Sequence, residues 1–468
     1  MVLPALDQSA PEPDVPQAGW RRHVHRYGGD TRSLGLAAVV GIAAGLGALL
    51  FMWALETCTR LLLVDVGGYT PATTIGEGGG TPASDFTRPW AIPLVVGLGG
   101  LIAGLLVFTF APEAEGHGTD AAIHAIHHDP TGIRPHVVVV KLVASAITIG
   151  SGGSGGREGP TAQISAGTAS TIARLLHLTH AQARVLVAAG MAAGIAAIFR
   201  APLGGAMLGV ELLYVEDLEA DALLPGLVAS VVAYVVYGAV AGFTPVFGDQ
   251  SLITFTGASQ FFWFALLGIA AGLLARAYAG TFYAVMSATR RLRLPRWLPP
   301  ALAGVLVGAL GLVVPGVLGT GYGTVQQVMT PQGALALPLI VLIAIPFAKI
   351  LATSLSIGSG GSGGIFGPGM VIGAALGAAF WAILHAVPAL AGSVGPSPAI
   401  FALVGMVAVF GSIAHAPVAM TLMVAEMTGN LAVLPPAMLA LAIAAVIVGR
   451  TTIYRSQLDT RADLPRSS

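Results

Sequence analysis

The chain has 468 residues, of which 55% are hydrophobic and 9% charged, and its 22 Lys and Arg balance 22 Asp and Glu. A soluble domain carries about a quarter charged residues, so this composition cannot build an ordinary water-facing surface. The zero net charge implies no general attraction to nucleic acid, and the single cysteine, Cys58, excludes an intrachain disulfide and a multi-Cys metal site.

In chain order, residues 1–32 are polar and Pro-rich and lack the cleavable apolar core of a signal peptide. They contain Arg21, Arg22 and Arg26, and are expected to form a polar cytoplasmic segment. Cys58 lies in the first apolar run and is read as a small buried hydrophobe. Apolar runs then follow at 34–64, 90–110, 137–149, 185–198, 223–240, 261–282, 302–314, 335–355, 370–384, 400–413 and 432–448. A helix needs about 20 apolar residues to cross the hydrocarbon layer. Several runs reach that length, and others are shorter and broken by Gly or Pro. Such a mixture is expected where helices stop at the membrane midplane around a binding site.

The charges set an expected orientation. Arg290, Arg291, Arg293 and Arg296 fill one connection, Arg450 and Arg455 follow the last run, and 65–85 contains no Lys or Arg. Basic segments stay on the cytoplasmic side. The reading is therefore a multi-pass protein of the cell membrane with both termini cytoplasmic and 65–85 external.

An internal repeat organises the chain. Residues 141–160 read KLVASAITIGSGGSGGREGP and residues 349–368 read KILATSLSIGSGGSGGIFGP, identical at twelve of twenty positions with a constant offset of 208. Further on the offset becomes 215: Gly190-Met191 matches Gly405-Met406, Ala201-Pro202 matches Ala416-Pro417, and Glu211 matches Glu426. Two homologous halves, about 90–245 and 298–450, are expected within one transmembrane domain spanning 33–456, followed by a short cytoplasmic tail, 457–468. Duplicated halves with broken helices place a substrate between the repeats.

Each Gly-rich block should end one helix and start another. Glycine permits positive φ, and the closing Gly-Pro suits a helix start, where the missing proline N–H is no loss. The free N–H groups of that first turn, with the positive dipole end, form an anion site. Irregular backbone at membrane depth is tolerated where it is buried or lines a cavity. Two such starts aimed at one point attract an anion without a fixed cation that would trap it, and conduction needs weak binding.

Other uses of the glycines compete with this one. A phosphate-cradling loop would close on Gly-Lys-Ser/Thr, which is absent. Gly152-Gly153-Ser154-Gly155 matches the G-x-S-G of intramembrane serine proteases, with Ser154 as nucleophile, but its twin at Gly360-Gly361-Ser362-Gly363 argues against a unique nucleophile. Glycines used only for close helix packing are the remaining alternative.

Glu158 breaks the repeat, since Phe366 stands in its place. An ionisable residue inside membrane-embedded sequence is a functional candidate. Its carboxylate can occupy the anion site as a tethered competitor, and protonation would release it, coupling proton and anion occupancy. Arg157 beside it is either a pathway charge or the ion-pair partner of Glu158.

Gly156-Arg157-Glu158-Gly159-Pro160, Gly364-Ile365-Phe366-Gly367-Pro368 and the late Tyr454 resemble the three core motifs of the CLC chloride channels and chloride/proton antiporters. The resemblance runs from about residue 35 to 456. It implies an all-α membrane fold with an inverted two-fold repeat of broken, tilted helices. It also implies a homodimer in lipid with one anion pathway per subunit, and chloride and protons as its ligands. No catalysis, cofactor or metal is expected. Fourteen residues follow Tyr454, so the likeness is to the bacterial type without C-terminal CBS domains.

By the same resemblance Glu158 matches the gating and proton-coupling glutamate. The N–H groups of Ile365 and Phe366, with Gly367 in the same motif and the Tyr454 hydroxyl, match the central anion site. The N–H groups around Arg157 and Gly159 match the outer one. The implied activity is chloride/proton antiport gated by Glu158. A voltage- or pH-gated chloride channel is the alternative, and an intramembrane hydrolase a third reading.

Two positions depart from the family pattern. Gly116-His117-Gly118 puts His117 where the family has an anion-contacting serine; its imidazole either donates to the anion or points away. The family's proton-transfer glutamate falls on Leu212, after Glu211, and Glu216, Asp217 and Glu219 lie within two turns of it, as substitutes or as a solvated helix end. The repeat partner Glu426 points to a structural role for Glu211. His124, His127 and His128 are read as solvated or cap-forming. Phe366 and Pro160 argue against the fluoride branch, and the proline that favours nitrate is absent.

Overall fold

The computed structural model describes residues 31–464 apart from 251, 252, 254 and 256, and the regular structure among them is helical. All but the last two residues of the expected N-terminal segment, including Arg21, Arg22 and Arg26, lie outside the described residues. Helix α1 (Thr31–Thr59) runs on into a π-helical end (Arg60–Val66), so the 34–64 run is one long apolar rod. Cys58 near its end is half-buried, not buried.

The first half comprises α2 (Ala91–Phe110), α3 (Thr119–His128), α4 (Pro135–Gly150), α5 (Glu158–Leu175), α6 (His180–Phe199), α7 (Pro202–Glu211) and α8 (Leu223–Ala241). Helix α9 (Ser259–Arg291) links it to the second half. There the order continues with α10 (Leu298–Val313), α11 (Tyr322–Val328), α12 (Pro331–Ala336), α13 (Leu339–Gly358), α14 (Phe366–His385), α15 (Pro388–Val394), α16 (Ala399–Ile413), α17 (Pro417–Thr428) and α18 (Leu434–Val448). Among the described residues eight helices are long and apolar enough to cross a membrane, and α15 and α16 form a further pair bent by 74°.

Proline punctuates the helices. Pro135, Pro202 and Pro417 stand in the first turns of α4, α7 and α17, where their missing N–H is harmless. The 335–355 run divides at Leu337-Pro338 because the residue before proline is pushed out of the helical region. Arg290 and Arg291 do not lie in the connection but form the last turn of α9, where cations favour the negative dipole end.

The core is apolar, as in a soluble protein, but so is much of the outer wall, and the few buried charges stand out. Lys141, Lys349 and Glu158 are buried, while Val240, Val313 and Val446 are more than three-quarters exposed on the outer wall, as a lipid-facing surface requires. Small residues let helices touch: on α14 and α16, a side chain at Gly373 or Gly405 would strike the backbone carbonyl of the other.

The repeat is visible as reciprocal contacts. The two Gly-rich blocks meet in an antiparallel bridge, Gly156 N–H donating to Gly364 O at 2.7 Å and Gly364 N–H to Gly156 O at 2.6 Å. Lys141 Nζ donates to Ala114 O and Gly116 O, and Lys349 Nζ to Val317 O and Gly319 O. The Ser154 and Thr353 hydroxyls lie 2.9 Å apart, as do their twins Ser362 and Ser145. Glu211 accepts from the Val418 and Ala419 amides, and Glu426 from those of Leu203 and Gly204, so each carboxylate caps a helix of the opposite half.

Candidate functional site

Helices α5 and α14 start at matching repeat positions, Glu158 and Phe366, and point their N-termini at one buried spot. The Glu158 side chain crosses to the other half. Its Oε1 accepts from Phe366 N–H at 2.8 Å and Gly367 N–H at 3.0 Å. A side chain at Gly156 or Gly364 would strike this carboxylate, which is why glycine stands at both positions. The seat holds one negative charge on helix-start amides, and among the described residues no lysine or arginine bonds to it.

Ile365 takes part differently: its carbonyl accepts from the Tyr278 hydroxyl at 2.8 Å, while the Glu158 carboxylate sits on the next two amides. Gly159 packs against the His117 carbonyl so closely that a Cβ would clash there. Phe366 packs between the tilted rings of Phe199 and Phe410, at 5.1 and 4.5 Å between ring centroids, and Phe410 continues to Tyr454 at 6.3 Å.

Tyr454 is buried, its hydroxyl beside Thr119. The His117 ring is also buried, edge-on to Tyr454 at 5.4 Å and to Phe282 at 5.9 Å, with Nδ1 facing the Asp120 amide at 3.5 Å. His117 therefore points into the site, beside Tyr454. Asp120 accepts from Ser456 N–H and Oγ–H at 2.8 and 2.9 Å, fixing the segment that carries Tyr454.

Arg157 is not the ion-pair partner of Glu158. Its guanidinium turns toward the 67–90 loop and pairs with Glu77. It lines a cavity of about 840 Å³ with Glu56, Glu77, Arg200, Tyr237 and Tyr322. On the opposite side of Glu158, a cavity of about 560 Å³ is lined by His117, Asp120, Tyr283, Arg290, Arg455 and Ser456. The buried Glu158 region thus stands between two hollows, each lined in part by arginines.

Leu212 is fully buried just past the end of α7, and its carbonyl accepts from Gln457 Nε2 at 3.0 Å. The acidic residues after it are not two turns of a solvated helix, because α7 ends at Glu211 and the chain continues as a loop. Glu216 is exposed beside Arg450. Asp217 accepts from the Arg461 and Leu218 amides, which together hold its carboxyl below the usual aspartate range. Glu219 is fully buried, bonded to the Tyr214 hydroxyl at 2.7 Å and paired with Arg184 and Arg461.

His127 bonds through Nε2 to Leu213 O at 2.9 Å, and His128 through Nδ1 to His124 O at 3.0 Å. His127 is thus buried against the turn that follows α7, not solvated.

Sequence reasoning missed Thr119, Tyr278, Tyr322 and Glu77. A signal existed for two of them, because Gly116-His117-Gly118-Thr119 recurs as Gly319-Thr320-Gly321-Tyr322 at an offset of 203. None existed for Glu77 within its Gly-rich loop.

The profile of a family described as voltage gated chloride channel matches residues 99–449. A voltage-gated ClC-type chloride channel, ClcB, of Escherichia coli is 32% identical over 440 residues, covering 91% of this chain and 98% of that one. The structure of a slow cyanobacterial Cl⁻/H⁺ antiporter superposes with a TM-score of 0.76 at 25% identity, covering 91% and 96% of the two chains. A CLC-type fluoride/proton antiporter shares the fold, with a TM-score of 0.76 at 21% identity over 92% and 98%.

Proposed function

The chain belongs to the CLC family of voltage-gated chloride channels, and on that premise we propose that it exchanges chloride for protons across the cell membrane, with Glu158 as the gate. The observation that carries the reading is the Glu158 carboxylate seated on the Phe366 and Gly367 amides. A carboxylate held on helix-start N–H groups occupies the place a free anion of similar charge would take.

Protonation removes the charge that those amides attract. The neutral side chain then leaves its seat and chloride enters from one cavity or the other. The same carboxylate thereby carries the proton and admits the anion, and the two occupancies exclude each other. In this scheme the Phe366, Gly367 and Ile365 amides hold the anion from the α14 side, and those of Arg157 and Gly159 from the α5 side. Tyr454 and His117 face it from the cavity that Arg290 and Arg455 line. Arg157 contributes through its backbone, since its side chain is engaged by Glu77.

Leu212 has no titratable group, so the proton does not pass through that position. In the same reading residues 65–85 face outside and both termini inside, two copies form the working unit in lipid, and no cofactor takes part.

The test is the reversal potential of purified protein in liposomes under combined chloride and proton gradients. Exchange predicts a value that shifts when only the pH gradient is changed. A value that follows chloride alone would replace the exchanger with a channel.

A further inference from the structure

Arg157 and Tyr322 both stand on the 67–90 loop side of Glu158. The guanidinium is ion-paired with Glu77, which offsets its charge, while its Nε–H finds no acceptor among the described residues. It also lies along the Tyr322 ring, 5.0 Å from its centroid. A guanidinium can only donate, so it leaves the Tyr322 hydroxyl proton unused.

Tyr322 is 3% exposed, and its hydroxyl makes no hydrogen bond of ordinary geometry among the described residues. Buried tyrosine hydroxyls nearly always find a partner. Glu158 Oε2 is another orphan, buried and accepting no hydrogen bond among the described residues. Both border the same small space over Gly367: a Cβ built there would stand 2.5 Å from Tyr322 Oη and 3.2 Å from Glu158 Oε2. The ring is held edge-on against Phe199 and Phe247, so the hydroxyl is aimed, not free to swing.

The repeat gives the position a second meaning. Tyr322 opens α11 where Thr119 opens α3, and Thr119 lies beside the Tyr454 hydroxyl on the other side of the gate. A tyrosine hydroxyl thus stands on each side of Glu158, Tyr322 at one helix start and Tyr454 beside the matching one.

We propose that Tyr322 is a ligand of the outer anion position: its hydroxyl donates to the chloride that replaces the Glu158 carboxylate over Gly367. The inference rests on the exchanger reading above and deepens it by naming a side-chain donor. With Glu158 in place, the hydroxyl and Oε2 wait unpaired across a narrow gap. When the carboxylate leaves, a chloride centred nearer Tyr322 gains a hydrogen bond that the carboxylate does not make.

The experiment is calorimetric titration of chloride into purified protein carrying Glu158→Gln, with and without Tyr322→Phe. The phenylalanine keeps the ring and its packing and removes only the donor, so a purely structural role would leave binding unchanged. The expected result is a dissociation constant about tenfold higher in the double variant, the scale of one hydrogen bond to a charged group. Equal constants would overturn the role of Tyr322 while leaving Glu158 as the gate. If Glu158→Gln alone binds no chloride, both readings fall. Should the double variant not fold, the single Tyr322→Phe protein decides between them through its KM for chloride supplied from the 67–90 loop side. That KM should rise severalfold, and an unchanged value rejects the proposal.

Discussion

Arg157 and Glu77 meet in a two-pronged ion pair, Nη1 lying 2.8 Å from Oε2 and Nη2 2.7 Å from Oε1. The pair ties the 67–90 loop to the residue next to Glu158, and it cancels a positive charge that would otherwise face the cavity. Arg200 fastens the same loop, donating to Gly76 O at 3.0 Å. Glu77→Gln should therefore free the Arg157 charge and raise the local potential for anions. The expected outcome is a severalfold faster initial chloride uptake from that side at low ionic strength. The gain should shrink toward nothing at about 1 M salt, where the screening length is about 3 Å. Stopped-flow flux into liposomes at two salt concentrations measures it. A gain that persists in high salt would mean that the loop obstructs sterically and not through charge.

Glu158→Gln keeps the side-chain shape and removes the titrating group. Proton movement should become undetectable while chloride flux continues, as read by parallel pH-dye and chloride-electrode recordings on one vesicle preparation. Proton flux at the native rate would remove Glu158 from the coupling.

Glu211 and Glu426 each cap a helix of the opposite half through two amides. Replacing either by alanine should cost about 1–2 kcal/mol of stability. The two losses should agree closely, because the caps are repeat equivalents. Unfolding in mixed detergent compares them directly. A large inequality would show that one of the two does more than cap.

Asp120 holds Ser456 and, through it, the chain at Tyr454. Asp120→Ala should weaken chloride binding severalfold without touching the anion, and Tyr454→Phe should weaken it by removing the hydroxyl. If Asp120 acts through Tyr454, the double variant will lose less than the two single losses added together. Full additivity in the titration would separate the two residues.

The C-terminal segment is clamped where Asp217 accepts from the Arg461 amide. The carboxyl is held below the usual aspartate range, so the folded state favours its ionised form. That contribution is complete above the ordinary aspartate value and is lost as pH falls through the lowered folded value. Cleavage after Arg461 by an acid-tolerant protease should thus accelerate only at strongly acidic pH. Asp217→Asn should show the fast rate already at neutral pH, and a native rate there would discount the clamp.

The linear sequence determined much of the architecture on its own. Composition required a bilayer, because 9% charged residues cannot cover a soluble surface. The repeat with offsets of 208 and 215 required two halves, and Gly-Pro at 159–160 and 367–368 marked both helix starts. These features are legible because they depend on local backbone rules and on identity between distant segments. Glu158 stood out because one carboxylate broke an otherwise repeated block.

Partnership was decided by the tertiary structure. Which amides Glu158 would meet, Phe366 and Gly367 on the far half, follows from two helices converging across more than 200 residues of chain. Arg157 could be read as the partner of Glu158 until the fold brought Glu77 to it from a loop 80 residues away. The repeat marks the position of Tyr322, but what its hydroxyl faces was decided by the fold. A hydrogen bond has a reach of about 3 Å and a strict direction, and no pattern along the chain encodes which side chain a bent, packed helix will finally aim at it.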